Sequence, residues 1–204
     1  MNIEQFHQQP DDVRQHVLEA HRYWNTEHVD WSDFQRDQFI EQMESFGVAA
    51  KCVQWSGFCS QGDGACFDGH TTSMVQLCAA VPELNKFSDI FQLGEISMSW
   101  ASSGHYSHEH SLRFDLQDHR YVQDSDDPLT LMQAKLLQLE NSRIEELEVC
   151  VTLWIKEQCS KLYSELEEEY DHLTSDEAVL ESLEINNQLE EAVLEAREAL
   201  DYEF

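Results

Sequence analysis

Apolar positions recur at helical spacing in the first and last parts of this chain and alternate in the middle, which predicts helices flanking a small sheet. Pro10, Asp11 and Asp12 form a helix start, and Val13, Val17, Leu18 and Trp24 supply its stripe. Asp30 and Asp33 make a capping-box-like pair for a second helix. Its apolar side is Phe34, Phe39, Ile40, Met43 and Phe46, and Gly47 ends it. Val48 to Phe58 then reads as a strand. Cys52–Phe58 and Ala65–Asp68 predict a hairpin with a long, glycine-shaped connection.

Thr71–Ala80 suits a short helix, and Asn85–Leu93 a turn and short helix closed by Gly94. Ile96, Met98 and Trp100 alternate with serines, and Leu112, Phe114 and Leu116 alternate with Arg113 and Asp115. A hairpin tipped at His105–Ser107 would pair 100 with 112, 98 with 114 and 96 with 116. That register gathers all six apolar residues on one face, and a one-residue slip would scatter them.

Asp127-Pro128 reads as N-cap and first turn of a long helix. Leu129, Met132, Leu136 and Leu139 begin its stripe. Ile144, Leu147, Val151, Trp154, Ile155, Leu162, Leu166, Tyr170 and Leu173 continue it, with a phase shift near Asn141 to Arg143. At ~1.5 Å per residue it would run about 65 Å unbroken, so a break at the phase shift, an outward projection or pairing with another helix is expected. Thr174 and Glu177 suit a capping box for one final helix striped by Val179, Leu183, Leu189, Val193, Ala196 and Leu200. The expected architecture is α+β. A small antiparallel sheet of about four strands packs with N-terminal helices in residues 1–126, and long acidic helices occupy 127–204.

Charge changes this picture most. The 204 residues hold 41 acids against 12 bases, a net of −29. From residue 162 onward there are 15 acids and a single base, Arg197. Direct nucleic-acid binding and an anionic membrane surface are both disfavoured, because each needs clustered Lys and Arg. A basic protein surface is the natural partner, including one that normally holds nucleic acid. The sequence opens with no basic-then-apolar leader and has no apolar run long enough to span a bilayer, so a soluble cytoplasmic protein is expected. The six cysteines form no C-x-x-C pair, and small buried hydrophobes in a reducing compartment are the expectation for most of them.

Three stretches hold candidate chemistry. Trp55–Gly69 carries four of the seven glycines, and its backbone amides, with Ser56, Ser60 and Gln61, could form an anion nest. It has no Walker lysine, and Asp63 would oppose a phosphate. Cys52, Cys59 and Cys66 recur every seven residues, which is no standard zinc spacing. Ser102–His110 packs three histidines, Tyr106 and Glu109 together. In the register above His108 and His110 share a face, making them candidate ligands of a divalent metal with His105 or His70. His105 with Glu109 could otherwise serve as base and orienter. Finally, Glu165, Glu167, Glu168, Glu169 and Asp171 form an acidic helical run whose carboxylates could imitate a phosphate ladder. The long stripe around Trp154 is also a candidate homodimer seam.

WSGFCSQGDGACFDG, SSGHYSHEHSLRF and LTSDEAVLESLEIN resemble, in order, three blocks of a family of small acidic bacteriophage and prophage proteins, sometimes labelled antitoxin-like. Those blocks read S-G-F-x-S-Q-G-D-G-A-x-F, S-G-H-Y-S-H-E and T-S-D-E-A-V. The likeness covers the centre and the C-terminal third, and the two ends less. It implies a phage or mobile-element origin and no particular reaction. The combined expectation is an interaction protein that inhibits a host defence or nucleic-acid-binding factor. Glu165, Glu167, Glu168, Glu169 and Asp171 would supply charge; Gln61, Asp63, His105 and Tyr106 would form a separate specificity surface. No cofactor is required on this reading. The alternatives are a metal-dependent or small-ligand enzyme using the glycine loop and the His hairpin, and an antitoxin masking a basic toxin.

Overall fold

The structure, a computed structural model, describes residues 1–27, 29–90, 95–104, 106–118 and 128–202, with 29, 30, 128–140 and 202 described as backbone alone. It is α+β, with an antiparallel sheet in the order β1-β2-β3-β4 and helices before and after it. The described residues divide into two compact units, Gln35–Ser164 and Met1–Phe34 with Glu165–Phe204.

In the first unit the strands are β1 (Val48–Ser56), β2 (Gly64–Thr71), β3 (Ile96–Ser102) and β4 (Leu112–Asp118). β1 and β2 form the expected hairpin, Val48 opposite Thr71 and Ser56 opposite Gly64. A bulge interrupts β1 between Lys51 and Gln54, where Cys52 takes φ +47°. The β3–β4 register differs from the expected one by two residues: Trp100 lies opposite Phe114, Met98 opposite Leu116 and Ile96 opposite Asp118. Glu109–Ser111 coil into a 3₁₀ turn instead of extending the strand, and this turn takes up the shift. A two-residue slip preserves the side-chain faces, so Ile96, Met98, Trp100 and Leu112 are still buried.

Helix α4 (Met74–Ala80) starts later than expected, because Thr71 stays in β2 and Ser73 caps the helix through the Gln76 amide. Residues 91–94, including the expected Gly94 stop, lie outside the described residues. The core of this unit joins Phe39 of α3 (Asp33–Ser45), Phe67 of β2 and Trp100 of β3 in successive edge-on ring contacts, with centroids 5.0 and 5.5 Å apart. Ile144, Leu147, Val151, Ile155, Cys159 and Leu162 of the long helix are buried as well. That helix, α5 (Pro128–Leu173), runs unbroken through the phase shift, where Arg143 makes a bidentate pair with Asp89 at 2.8 and 2.9 Å and also reaches the Lys86 carbonyl. Asp127, the expected cap, lies outside the described residues. The Trp154 ring of this helix packs edge-on against Phe46 with centroids 5.3 Å apart, while Val149 and Leu153 beside it are exposed.

In the second unit, α1 (Ile3–Phe6) and α2 (Asp11–His21) pack with α6 (Asp176–Ile185) and α7 (Leu189–Tyr202). Phe6, Val13 and Val17 join Val179, Leu183, Leu189 and Val193 in one cluster. This explains why the units do not divide at 126/127: the N-terminal stripe finds its apolar partners on the last helices. The cap of α6 is Ser175, whose hydroxyl accepts the Ala178 amide, while the Thr174 hydroxyl donates back to the Tyr170 carbonyl. The single final helix expected is two, separated at Asn186–Asn187, where Asn187 takes φ +59°. Among the described residues no helix is long and apolar enough to cross a membrane.

Candidate functional site

The glycine loop and the histidine turn meet. A Cβ on Gly64 would lie 2.9 Å from the His108 ring and 3.0 Å from the Ser107 carbonyl, so only glycine lets β2 pass this close. Gly62 faces the Tyr106 ring in the same way at ordinary contact distance. Between them is an open depression of about 420 Å³, lined by Gln61, Gly62, Ser103, Tyr106, His108, His110 and Ser111. Two residues of the expected specificity surface, Gln61 and Tyr106, are brought together here.

Asp63 is not available to that surface as a recognition group. Its carboxylate Oδ2 accepts the amides of Cys59 at 3.0 Å and Ser60 at 2.6 Å, closing the loop on itself. These are amides that an anion nest would need, so the loop is held by its own aspartate. Phe58 packs on Tyr163 of α5 with centroids 5.4 Å apart, and the Tyr163 hydroxyl donates to the Gly57 carbonyl at 3.0 Å. The loop is thus a braced structural wall of the depression. His105 lies outside the described residues, so its pairing with Glu109 has no described geometry.

His108 and His110 do come together, although the expected strand face is not what joins them. The 3₁₀ turn stacks their rings 4.8 Å apart at 28°. Glu109 joins both: Oε2 is 3.0 Å from His108 Nδ1, and Oε1 is 3.8 Å from His110 Nε2. The metal-capable atoms of the three residues lie within 4.8 Å of one another. The glutamate between the two histidines in sequence was the signal for this grouping. His70 does not belong to it. It pairs with Ala49 and Ser99, six residues along β2 from Gly64, or roughly 20 Å at ~3.3 Å per residue.

Under the turn, Cys66 and Cys159 are fully buried. Burial raises both thiols, Cys159 to about 12, and the nearby Glu109 charge adds to the rise. Cys78 is similarly pushed up to about 11 by burial. These thiols are inert packing groups. Cys52 and Cys59 are exposed, so the heptad-spaced cysteines Cys52, Cys59 and Cys66 differ in burial and do not form a metal-capable group among the described residues.

The acidic run resolves into two sets. Glu165, Glu168 and Asp171 are exposed at three-residue steps on α5, whereas Glu167 and Glu169 are half-buried beside Leu166 and Tyr170. Among the described residues, none of the five is ion-paired. Their unit carries 22 acids and three bases, a net of −19, against −10 for the sheet-containing unit. All three bases are engaged: Arg14 with Asp11, Arg22 with Asp176 and the Thr174 carbonyl, and Arg197 with Gln9.

Comparison with known proteins finds no match among curated proteins and none among solved structures. Residues 31–176 match a protein family whose span takes in the whole glycine loop and histidine turn and ends inside the third sequence block. The chain belongs to that family, described as Domain of unknown function (DUF8835).

Proposed function

We propose that this is an acidic interaction protein that neutralises a basic, nucleic-acid-binding host factor by occupying the surface that would hold phosphates. The observation that carries this reading is the charge of the helical unit, −19 with every base already engaged. A packed apolar cluster joins α1, α2, α6 and α7 of that unit, and on the tail of α5 Leu166 is buried and Tyr170 packs on Trp31, so its carboxylates stand on a preorganised scaffold rather than on a loose tail. Glu165, Glu168 and Asp171 are separated by about 4.5 Å of axial rise per step, the same order as the ~3.4 Å between phosphates along one DNA strand. The resemblance of three sequence blocks to small acidic phage proteins supports a host-directed role. An antitoxin masking a basic toxin would use the same surface and differ only in its partner.

The test is affinity capture from host extract with the wild-type chain and with the triple variant Glu165→Lys, Glu168→Lys, Asp171→Lys. Glu167 and Glu169 are left in place because reversing half-buried groups would confound binding with folding. The reading predicts a basic partner held by the wild type at low salt, released as salt screens the charges, and lost in the triple variant. Helical circular dichroism should be unchanged in the variant. Equal capture by both proteins at low salt would refute it.

A further inference from the structure

We propose that His108, Glu109 and His110 form a binding site for one divalent transition cation of the zinc class, with a coordination position open to the depression beside the glycine loop. This site lies in the other unit from the acidic helical run and is independent of the interaction reading. Two imidazoles and a carboxylate are the donor set that such ions take, whereas calcium and magnesium prefer oxygen alone.

Geometry supports the assignment at three points. First, His108 Nδ1 has two claimants: the His110 amide points at it from 3.1 Å, and Glu109 Oε2 lies 3.0 Å away. A ring nitrogen carries either a proton or one lone pair. Protonated, it satisfies the carboxylate and opposes the amide; unprotonated, it satisfies the amide and opposes the carboxylate. A cation held by Nδ1 and Oε2 removes the repulsion between them and leaves the amide, in an exposed turn, to water. Second, Glu109 has a side chain only 19% exposed, and among the described residues its charge is met by no lysine or arginine, only by the two histidines. A dication supplies the missing positive charge. Third, the widest separation of 4.8 Å must close to about 3.4 Å, the edge of a tetrahedron with ~2.0–2.1 Å bonds. His110, with a side chain 75% exposed, can turn off its stack on His108 to do this.

Three protein ligands leave a tetrahedral ion one free position. That position faces Gln61, Tyr106 and Ser111 around the depression, where water or a small anionic ligand would complete the shell.

The experiment uses the full chain with Cys52→Ser and Cys59→Ser, so that exposed thiols cannot capture the metal. Co²⁺ is titrated in excess Mg²⁺, which saturates the carboxylate-rich surface, and bound ion is read from its visible absorption. One equivalent should bind, with a nitrogen and oxygen ligand spectrum free of thiolate bands, and with His108 and His110 ring resonances the first to shift. His110→Ala and Glu109→Gln should each weaken binding at least about tenfold, the lower limit for losing even an outer-shell partner. His110 is exposed, so its variant will fold and decides the matter even if the glutamate variant is unstable. No saturable binding in excess Mg²⁺, or binding unchanged in His110→Ala, would overturn the site.

Discussion

Gly69 shows how tightly single residues constrain the sheet. A Cβ there would lie 2.8 Å from the Ala49 carbonyl oxygen and 2.8 Å from the Trp100 indole, one of them backbone and the other a buried ring. Neither can yield cheaply. Gly69→Ala should therefore destabilise the protein by about 1–3 kcal/mol, the range for overpacking a filled core, measured as a lower urea midpoint at constant slope. At this scale the sequence was partly legible. The glycine density of Trp55–Gly69 was read as turn-forming freedom and a possible anion nest, whereas Gly64 and Gly69 of β2 serve close approaches. Which group would do the approaching was not legible, because His108 comes from the β3–β4 connection and Trp100 from β3, both far along the sequence. Asp63 shows the opposite limit: a carboxylate in a polar loop looked like a recognition group, but the nearest unmet donors were the loop's own amides.

The elements themselves were well marked, and the boundaries less so. Alternation fixed the faces of β3 and β4, yet period-two patterning cannot distinguish registers two residues apart, and the 3₁₀ turn at Glu109–Ser111 selected the other one. The site depends on that turn, which stacks the histidines; a ladder continued to Leu112 by plain extension would not. At the start of α6 the sequence pointed to Thr174 as the cap, and the backbone places it one residue later at Ser175, at φ −67° and ψ +151°. Ser175→Ala removes the acceptor for the Ala178 amide and should cost about 1 kcal/mol. Thr174→Ala should cost less, since its hydroxyl serves only the tail of α5. Thermal midpoints of the two variants check the order. The break at Asn186–Asn187 was hidden because Leu183 and Leu189 keep an apolar stripe on both sides of it.

For the whole molecule, the chain's charge is divided as its packing is. The two ends of the sequence supply one helical unit, which holds about two-thirds of the net negative charge in 74 residues, and the central sheet holds the histidine turn. The α+β class and the acidic helices were visible in the sequence. The pairing of the first helices with the last was not, because amphipathic stripes state that a face is buried without naming what buries it. In the role proposed for this protein, the acidic helices take the place of nucleic acid on a partner. The most direct measurement is a three-way binding assay with the captured partner, its nucleic acid and this protein at graded salt. Binding should be mutually exclusive, with nucleic acid displaced stoichiometrically by the wild type and not by the Glu165, Glu168 and Asp171 reversal variant. A stable ternary complex, or displacement that survives the reversal, would contradict it.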